Sequence, residues 1–388
     1  MKKVHLKRSR RILHGHLWIF SNEIEENLRD FVPGSLVQIF DRKETLIGSG
    51  YINPKSLIAA RVLTREDIPL DRTFFSNSLR RAIDLRGNIL ADAVNCRLVF
   101  SEADYLPGLI VDRYGSCVVV QFLTAGMEQQ KDLILDLLDE ILSPETIVVR
   151  NDSRSRLLEG LPQYKELRKG GLEPLPVIEE EGVRFTVDPM EGQKTGFFLD
   201  QRENRSAFAR LVKHGRGLDL FCHTGSWSLR LAAAGRVQVT GVDSSERAVR
   251  QAEQNAAMNN LQEKAGFVIS DVFEFLKRQE AAADACDFIV CDPPAFVKSA
   301  SKIREAVRAY TDLNAACMRL LKPGGLLATS SCSYHLQKDM FIELLLAAAH
   351  ASGRSLRLLA MRSQAMDHPV LLAMPETEYL KCAFLVVD

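Results

Sequence analysis

Several features are scarce or missing in this sequence, and each closes off a class of function. No two of its eight cysteines form a CxxC pair. That disfavours a zinc site or a disulfide framework and leaves reduced thiols, most of them small core residues, as the expectation. No stretch approaches the ~20 consecutive apolar residues of a membrane span. No apolar run follows the basic start Met1-Lys-Lys-Val-His-Leu-Lys-Arg8, so a cytoplasmic protein is expected rather than a secreted or membrane-bound one. Net charge is zero, with 50 Lys and Arg against 50 Asp and Glu. The GxGxxG fingerprint of dinucleotide-binding folds is also missing.

What is present is an ordinary globular composition, 46% hydrophobic and 26% charged over 388 residues, with room for two or three domains. The charge is unevenly placed. Lys2, Lys3, Lys7, Arg8, Arg10 and Arg11 all precede the first acid, Glu23. Such a patch suits contact with phosphate, and equally a solvated, frayed terminus. Arg10 to Ser21 then mixes cations with Trp18 and Phe20, the composition of a surface that grips phosphate and offers flat faces to unpaired bases. Phe20 is expected to fill a small barrel core instead.

Short apolar strands at 36–40, 45–52 and 57–63, punctuated by turn residues, make residues 1–72 a small β-rich domain. A helix from Thr73, a meander over 95–122, a helix over 127–142 and a strand at 146–149 make 73–176 an α+β middle domain. Its polar end, 151–176, reads as loop, and 177–187 as a hairpin turning at Glu181-Gly182. From about 190 onward strands and helices alternate, which predicts an α/β domain with a mostly parallel sheet over 177–388.

The centre of that domain is Gly217–Asp243, which reads as a buried strand, a turn closing at Gly225, a helix over Ser226–Ala234 and a second strand ending on Asp243. A strand leading into a glycine turn and a helix N-terminus, with a carboxylate ending the next strand, is a way to hold a nucleoside. Open sheets bind ligands at the carboxyl ends of their strands. This chain places Asp219 to Gly225, Asp243, Ser270-Asp271, Asp292-Pro293-Pro294 and Ser331-Cys332-Ser333 at successive strand ends. Any one could be a cap or turn, as Asp271 could before its helix; the series points to a shared active site.

The series resembles the class I S-adenosylmethionine-dependent methyltransferases. More narrowly, the chain resembles the RlmI-like rRNA (cytosine-5) methyltransferases nearly end to end. The matching pieces are His16-Leu-Trp-Ile-Phe-Ser21 of a PUA-type domain, Leu106–Tyr114, Gln193-Lys-Thr-Gly-Phe-Phe-Leu-Asp-Gln-Arg202, Asp292-Pro-Pro-Ala-Phe-Val297, Ser331-Cys-Ser333, Asp367-His-Pro369 and Tyr379-Leu-Lys381. The resemblance implies a C-terminal Rossmann-like methyltransferase domain behind a PUA-like RNA-binding domain, with S-adenosyl-L-methionine as cofactor and ribosomal RNA as partner. It implies cofactor contacts from Asp219, Phe221, Thr224, Gly225, Asp243, Asp271 and Val272, with Phe198 and Asp200 helping to cover the methionine end. Substrate contacts are expected from Phe296, Lys194, Arg202, Arg8, Arg10, Arg11 and Trp18. No metal is expected, and a homodimer is among the oligomers the sequence admits.

Cys332 and Asp292 are the expected catalytic pair. Carbon 5 of a pyrimidine is a poor nucleophile until a thiolate adds to carbon 6, so methylation there calls for covalent catalysis by a soft nucleophile. The hydroxyls of Ser331 and Ser333 are placed in sequence to hydrogen-bond that thiolate. Asp292 would serve the ring nitrogen of a flipped cytosine, with Phe296 as a stacking face. His335, Glu376 and a water remain open as the base for the carbon 5 proton. The main rival is a base-nitrogen methyltransferase acting on guanine or adenine through the Asp292-Pro-Pro-Ala-Phe segment, which would not need Cys332. A nicotinamide-dependent oxidoreductase and a non-catalytic RNA-binding factor are weaker alternatives.

Overall fold

The N-terminal segment is neither loose nor frayed. In the computed structural model, which describes residues 1–91, 93–283, 285–296 and 302–388, Lys2–His5 is a strand paired in parallel with Val37–Phe40. Its Val4 side chain is fully buried while Lys2 and Lys3 stay exposed. The start of the basic segment is thereby fixed in a sheet, which sequence alone left undecided. Val297, the last residue of the Asp292–Val297 segment, lies outside the described residues.

The chain divides into two units. The first comprises Met1–Ile178, Val187–Leu199 and Met366–Thr377. It holds two five-stranded sheets. One orders Lys2–His5, Ser35–Phe40, Leu46–Ile52, Ala60–Thr64 and Trp18–Ile19 around a core of Val4, Ile19, Val37, Ile39, Ile52 and Val62. The other orders Tyr164–Lys169, Thr146–Asn151, Cys117–Phe122, Leu109–Tyr114 and Asn95–Phe100, with the helix Arg72–Ile89 packed against it.

Two expectations fail here, each for a local reason. The helix expected over 127–142 is two, Ala125–Gln129 and Lys131–Leu142, broken at Gln130. The stretch 151–176 is not all loop: Tyr164–Lys169 is an antiparallel edge strand on Thr146–Asn151. Its sequence, Tyr-Lys-Glu-Leu-Arg-Lys, is polar because an edge strand with exposed faces has no apolar period to display.

The second unit comprises Glu179–Thr186, Asp200–Ala365 and Glu378–Asp388. Its sheet has seven strands: β1 (His214–Leu220), β2 (Arg236–Asp243), β3 (Ala265–Ile269), β4 (Cys286–Cys291), β5 (Leu321–Ser331), β6 (Leu356–Arg362) and β7 (Lys381–Val387). They lie in the order β3-β2-β1-β4-β5-β7-β6, and all neighbours are parallel except those of β7. The helices are α1 (Arg202–Leu211), α2 (Ser226–Ala234), α3 (Glu246–Met258), α4 (Val272–Ala281), α5 (Ile303–Leu320) and α6 (Lys338–Ser352). Burial on both faces explains why β4 reads as an apolar run rather than an alternating pattern. Strand order reverses between β1 and β4, and that is where such sheets open a crevice for ligands.

Candidate active site

The turn after β1 is built from backbone that side chains rarely adopt. Phe221, His223 and Gly225 have φ of 64°, 49° and 80°. The fold back is secured by Cys222 N–H donating to the Val242 carbonyl (3.0 Å) and Gly225 N–H donating to the Cys222 carbonyl (2.8 Å). Gly225 then starts α2 as its N-cap. A Cβ at Gly225 would stand 2.9 Å from Phe267 Cζ and 3.1 Å from Ala252 Cβ. The ring tip can yield, so the backbone is the larger cost. Gly225→Ala is expected to lower stability by about 1–2 kcal/mol, read from thermal unfolding; an unchanged midpoint would mean that the turn tolerates a side chain.

Asp243 closes β2 beside that turn. Its Oδ2 accepts from His223 N–H at 3.0 Å and its Oδ1 from Ser245 N–H at 2.8 Å. Each oxygen keeps a second acceptor site, so the group can take two further hydroxyl donors, as the diol of a ribose requires. Asp271 caps α4, its Oδ1 accepting from Phe273 N–H (2.9 Å) and Glu274 N–H (3.1 Å), and remains exposed. Val272 after it is buried. The Thr224 carbonyl accepts from Asn255 Nδ2 at 3.1 Å. These residues fit a nucleoside held at a helix N-terminus and a strand-end carboxylate.

Asp219 sits deeper than the others. It is fully buried, and its Oδ2 accepts from both the N–H (2.9 Å) and the hydroxyl (2.6 Å) of Ser228, which ties β1 to the first turns of α2. Its Oδ1 has no hydrogen-bond partner among the described residues. Burial pushes its carboxyl up to about 7; the charges of Asp292 and Asp243 add to this, and the Ser228 bonds oppose it.

Asp292 follows β4, and both of its oxygens accept from Gln201 Nε2 at 3.0 Å. Trp227 Nε1 from α2 donates to Oδ2 at 3.2 Å. Donors on both oxygens hold the group as a hydrogen-bond acceptor. Gln201 also donates to Ser330 Oγ (3.1 Å) and is steadied by Asn204, whose Nδ2 donates to its Oε1 at 2.7 Å. Sequence reading gave Gln201 no role, although it lies inside the Gln193–Arg202 segment. Phe296 is half-buried, its ring 4.7 Å from that of Tyr310. Arg202 opens α1, and Asp200 before it is buried, accepting from the Tyr379 hydroxyl at 2.5 Å.

Cys332 stands just past β5, next to β4 in the sheet. It is partly exposed, whereas the other seven cysteines are buried. The flanking hydroxyls both bond to α5. Ser331 Oγ donates to the Tyr310 hydroxyl (3.1 Å), which also bonds Ser333 Oγ (3.0 Å). Tyr310, on α5, thus pins both sides of the Cys332 loop, a role that no local sequence signal marks. Ser333 N–H donates to Ser331 Oγ at 3.2 Å and tightens the same turn. The Cys291 thiol is pushed up by hydrogen bonding with Cys317 and by burial, which suits a core position.

Other expected site residues fall in the first unit. Lys194 is exposed at φ 53°, and its ammonium lies 4.5 Å from the centre of the half-buried Phe198 ring. Glu376 bonds His16 Nε2 through Oε1 at 3.5 Å, so neither residue belongs to the second unit. Lys7, Arg8, Arg11 and Arg42 line an open cavity of about 960 Å³ with Phe20, and Arg10 lines an adjoining one with Arg8 and Arg11. Phe20 therefore belongs to this surface and not to the barrel core: the Arg11 guanidinium lies 4.8 Å from its ring centre. Trp18 is the ring that packs partly on the core, its Nε1 donating to Glu102 at 2.8 Å.

Comparison with known proteins agrees with both units. Residues 3–65 match a PUA-like domain and residues 211–365 a methyltransferase domain. A methyltransferase solved as a complex with S-adenosylhomocysteine has the same fold (TM-score 0.86, 20% identity, 100% of both chains). So does one described as a SAM-dependent methyltransferase from Streptococcus mutans (TM-score 0.85, 21% identity, 100% of both chains). The "Ribosomal RNA large subunit methyltransferase I" of Shewanella frigidimarina is 37% identical over 381 residues, covering 96% of each chain. The chain belongs to the ribosomal RNA large subunit methyltransferase I family.

Proposed function

We propose that this protein uses S-adenosyl-L-methionine to methylate carbon 5 of a cytidine in large-subunit ribosomal RNA, through a covalent bond to Cys332. The observation that carries the reading is that Cys332 alone among eight cysteines is not buried, and that it stands at the end of the strand beside Asp292. A methyltransferase acting on a nitrogen lone pair needs no such thiol. Residues 1–72 would hold RNA through the cavity lined by Lys7, Arg8, Arg11 and Arg42, 73–176 would form the middle domain, and 177–388 would carry the chemistry.

The bound cofactor would supply an electrophilic methyl group, which carbon 5 takes. Gly225 and Asp243 would form the nucleoside cradle, with Asp271 at its rim. Asp292, held as an acceptor by Gln201 and Trp227, would take the exocyclic amino group of a flipped cytosine rather than serve its ring nitrogen, the role that sequence alone suggests. Phe296 would lie against the base. The Cys332 thiolate gives its electron pair to carbon 6, and the π electrons of the 5,6 double bond become available at carbon 5. A base, His335 or a water, would then take the carbon 5 proton, which restores that double bond and expels the thiolate.

The test is bisulfite sequencing of protein-free large-subunit rRNA treated with the enzyme and cofactor. One newly protected cytosine is the expected result. Incorporation of labelled methyl without any protected cytosine would instead indicate a base nitrogen as acceptor.

A further inference from the structure

Lys381 opens β7 with its side chain 7% exposed. Its Cα pairs across the sheet with Ser331, the residue before Cys332. Its Nζ donates to the Ser333 carbonyl and to the Tyr379 carbonyl, both at 2.8 Å. One of these carbonyls belongs to the residue after Cys332. A buried ammonium is ordinarily paired with a carboxylate, yet among the described residues Lys381 forms no ion pair. Burial lowers its pKa to about 8, and the opposing pull comes first from Cys332 and then from Glu378. The sulfur of the proposed nucleophile thus lies within electrostatic reach of this ammonium.

We propose that Lys381 is a positioning residue for Cys332: a cation fixed by two carbonyls of the surrounding loops, against which the sulfur is held as thiolate. The inference rests on the reading of Cys332 as nucleophile. The geometry suits the task. An ammonium has three donors, two of them spent on the loop. Its attachment to a strand rather than a mobile loop keeps the charge in place. Of the other titratable groups on the elements that flank this loop, Tyr310 on α5 is a phenol with its pKa raised by burial. Asp292 after β4 and Glu378 ahead of β7 are acids. His335 is exposed and stacks edge-on against Tyr334. An acid or a phenol cannot supply a positive charge, so among these described groups Lys381 is the fixed cation.

The experiment follows alkylation of Cys332 by iodoacetamide from pH 6 to 10 on the full-length protein, with the modified residue located by mass spectrometry. Lys381→Gln keeps N–H donors for the two carbonyls and removes the charge; Lys381→Arg keeps the charge. In Lys381→Gln the rate at pH 7 is expected to fall about tenfold, and the profile to move about one pH unit upward, because the thiolate is the reacting form. Lys381→Arg is expected to stay near the wild-type profile. A wild-type profile in Lys381→Gln overturns the inference, since a purely structural lysine would leave the thiol's titration untouched. Methylation by Cys332→Ala is a separate readout: loss of activity there with an unchanged Lys381→Gln profile would retain the nucleophile and reject only the role of Lys381.

Discussion

Cys332→Ala is expected to abolish methyl transfer, with turnover lower by on the order of 10⁴-fold or more, because removing the nucleophile removes the covalent route as a whole. The argument is chemical. Without addition at carbon 6, carbon 5 carries too little electron density to take a methyl group. The residue is partly exposed and small, so its truncation leaves little cavity, and folding is expected to be unaffected. Binding of S-adenosylhomocysteine should persist, since the turn at Gly225 and the Asp243 carboxylate lie on the β1 and β2 side of the sheet. Cys332→Ser is expected to fare almost as badly, because a hydroxyl is a much poorer nucleophile at neutral pH. Single-turnover methylation of rRNA with labelled cofactor measures both variants. Activity within tenfold of wild type in Cys332→Ala would remove the covalent mechanism and favour a nitrogen target.

Asp219→Asn is expected to stabilise the protein, by an amount that grows between about pH 4 and 7 and is then constant at alkaline pH. Asp219 is fully buried and its carboxyl is raised to about 7 from 3.8. The folded state therefore binds this proton more tightly than the unfolded chain does. Its contribution to stability is fully present below about pH 4 and is lost as pH rises through about 7. Above that, the ionised form costs about 4 kcal/mol, at 1.36 kcal/mol for each unit by which the carboxyl is raised. Asparagine keeps an acceptor for Ser228 and does not titrate. It places an amide where Oδ1 already has no partner, a cost that is the same at every pH. The stability difference between variant and wild type should thus be about 3 kcal/mol larger at pH 8 than at pH 5, visible as a shift of several degrees in melts at the two pH values. An equal difference at both would show that Asp219 does not titrate in this range.

The elements that repeat a pattern were the legible ones. β4 announces itself as an apolar run because both faces of the sheet are covered, β2 by its alternating Val237 and Val239, and α2 begins at the glycine that ends its turn. Tyr164–Lys169 escaped notice because an exposed edge strand carries no apolar period. Gln130 divides a helix whose amphipathic pattern runs on through it. Phe20 has the composition of a core residue and the position of a surface one, because the strand before it ends at Ile19 and the chain turns outward under Arg11.

For the candidate site, sequence by itself determined the strand-end series, Asp219 to Gly225, Asp243, Asp271, Asp292 and Cys332, because ligands of an open sheet gather where its strands end. It also determined the chemistry that a thiol there would permit. Only the tertiary structure decided how those groups are held. Gln201 and Trp227 reach Asp292 from α1's approach and from α2, and Tyr310 reaches both serines from α5. Lys381 arrives on β7, about fifty residues after the loop that it supports. Such partners share no period or spacing with the residues they serve. Their relation exists only after β7 has inserted beside β5, so it is a property of the folded sheet and not of any stretch of chain.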